Sequence, residues 1–118
     1  MIEIENKIKE FIKLSKEVTP GWDESMAKID KQDKMMEELT SMARAKNTLI
    51  GRTIKFQVAD GNAVYLITKV TPTSVKLIWI DYCDGYCDRQ FGEKGGSMKI
   101  HNAMAYIKFE DMLDNMKK

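Results

Sequence analysis

At 118 residues the chain has room for one domain built around one modest core. Its 19 basic and 18 acidic residues leave a net charge of +1, which argues against a protein that lives by non-specific contacts to a phosphate backbone and equally against an acidic mimic of nucleic acid. The most apolar stretches, such as Val75 to Ile80 with Lys76 inside it, are far too short to cross a bilayer, and Met1-Ile2-Glu3-Ile4-Glu5 has neither the basic nor the apolar region of a secretory signal, so the expected setting is the cytosol.

Ile4, Ile8, Phe11, Ile12, Ser15 and Val18 recur at helical spacing with Lys and Glu between them, and predict an amphipathic helix of about four turns. Thr19-Pro20-Gly21 breaks it and starts a second helix: Thr19 suits an N-cap, Pro20 suits the first helical position, and Asp23 and Glu24 suit the positive end of the dipole. This helix is expected to reach Lys46, with Glu24 to Lys28 and Asp30 to Lys34 pairs on its exposed side. Its later half spreads Met35, Met36, Leu39, Met42 and Ala43 over more than one stripe. It is therefore expected to touch two partners, the first helix and a β unit, with a subunit interface as the alternative.

From Ile50 the period falls to two. Ile54, Phe56 and Val58 alternate with Thr53, Lys55 and Gln57 as a half-buried strand, Ala59-Asp60-Gly61-Asn62 supplies turn residues, and Ala63 to Val70 returns as the second arm of a hairpin. Thr71-Pro72-Thr73 turns the chain into Ser74 to Ile80, which becomes apolar on both faces and so reads as a central or sandwiched strand. Further strands are expected around Tyr86 to Phe91 and Ser97 to Ile100, and a short helix over 109–118 with Met112, Leu113 and Met116 on one side. The predicted class is α+β in a single domain: a helical pair over 1–47, a small antiparallel sheet or barrel-like unit over 48–108, and a C-terminal helix.

The densest run of chemistry-bearing residues is Asp81-Tyr82-Cys83-Asp84-Gly85-Tyr86-Cys87-Asp88-Arg89-Gln90-Phe91-Gly92, between two predicted strands. Rings beside an arginine and an amide are what a nucleotide site needs, because ring faces and guanidinium planes stack and arginine meets phosphate oxygens through two donors. Tyr82, Tyr86 and Phe91 are the candidate stackers, Arg89 and Arg52 the phosphate partners, and Gln90 and Asn102 the base-edge readers, with Lys55 and Lys99 behind them. The plain alternative is a turn with solvated acids and core-facing rings.

Asp81, Asp84 and Asp88 miss the spacing of a calcium loop, and Cys83, Cys87 and His101 lack the fourth ligand of a structural zinc site, so neither metal nor cofactor is expected. The two cysteines are read as reduced thiols, and a thiol enzyme would need one of them to converge with His101, so catalysis is not expected either. Gly92-Glu93-Lys94-Gly95-Gly96-Ser97 departs from the Walker spacing and reads as a hairpin loop that could close over a ligand.

Ile50-Gly51-Arg52, the run Phe56-Gln57-Val58-Ala59-Asp60-Gly61-Asn62-Ala63-Val64-Tyr65, Asp84-Gly85-Tyr86-Cys87-Asp88-Arg89 and the glycine-rich loop together resemble small proteins of phages and prophages. With helices placed before a β unit, the layout is similar to the first family of Thoeris anti-defence proteins. The resemblance implies an oligomeric sponge that sequesters a cyclic ADP-ribose-type signal, made by a bacterial TIR-domain enzyme, without cleaving it. Partners on that reading are the cyclic nucleotide and further copies of the chain, with no nucleic acid and no membrane. The alternative is a phage structural or protein-interaction module with no small-molecule ligand, assembled through its helical pair.

Overall fold

The computed structural model describes residues 2–17, 21–58, 61–83, 91–92 and 96–116, and only the backbone at 56–58, 61–62, 81–83 and 91–92. The first helix, α1 (Ile2–Lys16), buries Ile4, Ile8, Phe11 and Ser15 along one line, with Glu3 and Glu5 in its first turn and Lys13 and Lys16 in its last, each suited to the dipole. The second, α2 (Trp22–Lys46), begins later than expected: its N-cap is Gly21, which makes no side-chain cap, while Thr19 and Pro20 lie outside the described residues. Asp23 and Glu24 occupy its first turn, and it ends at Lys46 as expected. There Asn47 adopts a left-handed conformation and donates its N–H to the carbonyls of Ala43 and Arg44.

A polar clasp fixes the two helices side by side. The buried Ser15 hydroxyl donates to the Phe11 carbonyl at 2.8 Å and accepts from Gln32 Nε2 at 2.9 Å. Lys28 Nζ donates to the carbonyls of Ser15 at 3.0 Å and Glu17 at 2.6 Å, supplying donors that the last turn of α1 lacks in its own backbone. A Lys7 to Glu38 ion pair spans the same helices and holds the Glu38 carboxyl below its ordinary range.

The sheet is antiparallel and curled. β1 (Thr53–Val58), β2 (Gly61–Val70) and β3 (Ser74–Cys83) pair in that order, and the far edge of β3 is shared end to end by β4 (Phe91–Gly92), opposite Trp79 and Ile80, and β5 (Ser97–Lys99), opposite Ser74 to Lys76. The first hairpin closes with Val58 opposite Gly61, so Gly61 and Asn62, expected in the turn, belong to β2. The second closes at Thr71, whose N–H donates to the Ser74 carbonyl at 2.7 Å and whose hydroxyl accepts the Ser74 N–H at 3.0 Å. The strand expected over Tyr86 to Phe91 is described only as β4, and residues 84–90 lie outside the description.

Alternation along β2 and β3 gives the sheet two apolar faces. Val64, Leu66, Ile78 and Ile80 pack against Ile4, Ile8 and Phe11 of α1 and Met36 and Leu39 of α2. Ile54, Ile67, Val75 and Leu77 pack on the opposite face against Ala103 and Ile107 of a third helix, α3 (Ile100–Met116). This is why β3 is apolar on both sides: helices cover both, and each fully buried Leu or Ile contributes about 1.5–3 kcal/mol. Met35 and Met42 are half-buried on the α1 and α2 core, so the apolar spread of α2 meets α1 and the sheet together.

The helix expected over 109–118 begins at Ile100. Ile100, Ala103 and Ile107 recur at helical spacing, but Ser97 to Ile100 also continues a strand-like alternation, and that overlap conceals the change of period. Ile100 is where the chain leaves β5, its N–H donating to the Thr73 carbonyl at 3.0 Å.

Candidate functional site

The side chains of α3 are mounted in two ways along its length. In the first half Ala103 and Ile107 face the sheet. In the second half, residues on that same side of the helix are Glu110, Asp111 and Asp114, and the two aspartates meet arginines from two other parts of the chain. Arg52, just before β1 and only 4% exposed, donates Nη2 to Asp111 Oδ1 at 2.5 Å and Nη1 to Asp111 Oδ2 at 3.3 Å. Arg44, in the last turn of α2, donates Nη2 to Asp111 Oδ1 at 2.8 Å and to Asp114 Oδ2 at 2.5 Å.

The electrostatics follow from this geometry. The hydrogen bond from Arg52 holds the Asp111 carboxyl below its usual range, with Arg44 adding to it against a smaller opposing effect of burial. Bonds to Asp114 and Asp111 push the Arg44 guanidinium up. Glu110 goes the other way: burial raises its carboxyl, and a hydrogen bond to the Lys55 backbone with the charges of Lys55 and Arg52 offsets part of the rise. The buried Nε of Arg52 has no hydrogen-bond partner. An arginine with its fork committed to one carboxylate and its third donor unsatisfied holds a helix in place at a desolvation penalty.

With the acids on the side that meets Arg52 and Arg44, the apolar residues lie on the outer side. Phe109 is 60% exposed, Met112 62% and Met116 78%, with Leu113 also exposed beside them. Ala105, Phe109, Met112 and Met116 follow one another at spacings of four, three and four, the spacing of a seam that packs against another helix. Scattered exposed apolar residues are ordinary, whereas a continuous stripe along one helix marks a contact surface.

The sequence-predicted site residues are not gathered by the described structure into one place. Arg52 sits in the ion pair with Asp111, and Asn102 lies exposed in the first turn of α3 beside the equally exposed His101. Lys55 and Lys99 are exposed on β1 and β5. The backbone of Tyr82 pairs with Asn62 in β3, and that of Phe91 pairs with Ile80, two residues from Tyr82. Tyr86, Arg89 and Gln90, with Asp84 and Cys87, lie outside the described residues. Among the described residues no group of three His, Cys, Asp or Glu is placed to hold a metal ion.

Two features escaped the sequence reading. Trp79, only partly buried, is the cross-strand partner of Tyr65, so the two rings share a face of the sheet, and its neighbour on the other side is Gly92, which has no side chain to cover it. The acids on the sheet-facing side of α3 did leave a signal: Glu110, Asp111 and Asp114 stand in the half of the helix where the dipole disfavours negative charge, and no base stands in its last turn. Such acids need cations from elsewhere in the fold. No helix among the described residues is long and apolar enough to cross a membrane. No family model matches the sequence, and comparison with curated proteins and with solved structures finds no match.

Proposed function

We propose that this chain works by binding and not by catalysis, as a protein-interaction module that docks through the outer face of α3. One observation carries the reading: α3 keeps Glu110, Asp111 and Asp114 on its sheet-facing side, where Asp111 and Asp114 pair at the protein surface with Arg52 and Arg44, and presents Phe109, Met112, Leu113 and Met116 to solvent. An amphipathic helix on a sheet gains most by burying its apolar side, so the reverse mounting is paid for only if that side is covered by something else. Met35, Met36 and Met42, the sequence-level candidates for an assembly face, belong to the core instead, which moves the docking surface from the helical pair to α3. The test is a photo-crosslinking side chain at position 112 in the full-length chain, illuminated in cells, with exposed position 9 on α1 as control. Adducts from 112 and none from 9 are expected; a clean 112 would sink the reading.

A second reading is supported by Trp79 and Tyr65, an aromatic pair beside the strand ends that flank residues 84–90. On this reading the protein is a phage anti-defence sponge that sequesters a cyclic ADP-ribose-type nucleotide in the bacterial cytosol and leaves it intact, Trp79 supplying a stacking surface. Calorimetric titration with cyclic ADP-ribose isomers, followed by chromatography of the recovered ligand, tests it. Binding that Trp79→Ala weakens by about tenfold or more, with the ligand recovered unchanged, is the expected result. Absence of binding to every isomer, or recovery of a cleaved ligand, would remove it.

A further inference from the structure

We infer that the partner covering the outer face of α3 is a second copy of this chain, its own α3 packed antiparallel against the first. This rests on α3 being a docking surface and names its occupant. Size complementarity along the stripe is the main ground. With the two-fold axis beside the peptide between Glu110 and Asp111, Phe109 of one copy meets Met112 of the other, and the small Ala105 meets the long, highly exposed Met116. Sulfur against a ring is a favourable contact, and a small residue opposite a long one lets the helices approach. A parallel pairing loses this fit, because it sets Ala105 against Ala105 and Met116 against Met116.

Charge and area point the same way. The stripe of Ala105, Phe109, Met112, Leu113 and Met116 contains no ionised group, so it repels no copy of itself and offers nothing to select an oppositely charged partner. The charged side of α3 is acidic, where a helix lying on a membrane surface carries lysine and arginine. At roughly 200 Å² for each large apolar side chain, the exposed parts of the stripe supply on the order of 500 Å², more than half of the ~800 Å² per partner of a standard interface. Antiparallel pairing also brings opposite ends of the two helix dipoles together.

Sedimentation velocity of the full-length chain over about 1 to 200 µM should show a monomer–dimer equilibrium, and Met112→Glu, entering the contact twice by symmetry, should weaken association by about 100-fold or more with the circular dichroism unchanged. Lys9→Glu on α1 should leave it unaltered. Orientation is read by rescue: Ala105→Glu and Met116→Lys each abolish the dimer, and the double variant restores it, since antiparallel copies set each glutamate against the partner's lysine. A monomer throughout that range overturns the second-copy assignment, as does a dimer indifferent to Met112→Glu, and failure of the double variant overturns the antiparallel register. If the chain is monomeric while position 112 still crosslinks to a different protein in cells, the docking surface stands and only its occupant changes; with neither, both fall.

Discussion

α1 and α3 lie against opposite faces of one sheet, and each has an apolar side and a charged side. α1 buries Ile4, Ile8 and Phe11 and turns its charges to water, so its position is set by hydrophobic burial. α3 does this only through Ala103 and Ile107; beyond them it is held by Asp111 and Asp114 on Arg52 and Arg44, and its apolar residues face out. Amphipathicity therefore does not fix which side of a helix faces the core. Where cations wait on the body of the protein, the charged side docks and the apolar side is left for a partner.

Substituting one phenylalanine from each helix separates these regimes most sharply. Phe11 is fully buried, and Phe11→Ala should lower folding stability by about 3–5 kcal/mol in urea titrations at low protein concentration. Phe109→Ala, under the same conditions, should stay within about 0.5 kcal/mol and show its effect only in association. Equal losses from both would mean that Phe109 is part of the folding core and would break the contrast.

Asp111→Asn is the next largest. It leaves the buried Arg52 without its carboxylate, and since Asp111 itself is partly solvated the loss should be about 1–3 kcal/mol at pH 7. Because the folded protein holds the Asp111 carboxyl below its ordinary range, this stabilisation is complete above the unfolded carboxylate value, about 4, and drains away as the pH falls through the lower, folded one. Stability measured from pH 7 down to pH 2 should fall less steeply in the variant than in the parent.

Glu110→Gln should be smallest and opposite in sign. Burial raises this carboxyl, so ionising it costs stability as the pH rises through the ordinary value, and its amide should gain roughly a few tenths of a kcal/mol at neutral pH. A loss of stability there would show that the Lys55 hydrogen bond outweighs the burial.

Legibility followed periodicity. The line of Ile4, Ile8 and Phe11, the alternation in β1 and β2, and the two-sided apolarity of β3 all sit on spacings that only one kind of element satisfies, and α1, the first hairpin and the sandwiched strand were readable for that reason. The start of α3 was obscured because Ser97 to Ile100 satisfies the strand period while Ile100 to Ile107 satisfies the helical one. The side of α3 bearing Met112, Leu113 and Met116 was evident from sequence, but its direction was not, since it depends on Arg44 and Arg52 arriving from distant parts of the chain. The same distance hid the role of Arg52, whose residue type alone fits a phosphate as well as a carboxylate.

The shared carboxylate of Asp111 also makes ionic strength act unevenly on the molecule. Added salt weakens the partly exposed bonds to Arg44 and leaves the more deeply set bond to Arg52 less affected, while strongly excluded salts such as sulfate tighten the apolar seam between α1, α2 and the sheet. The far end of α3 thus becomes the first part of the fold to loosen in concentrated electrolyte, in the same solutions that hold the helical pair most firmly.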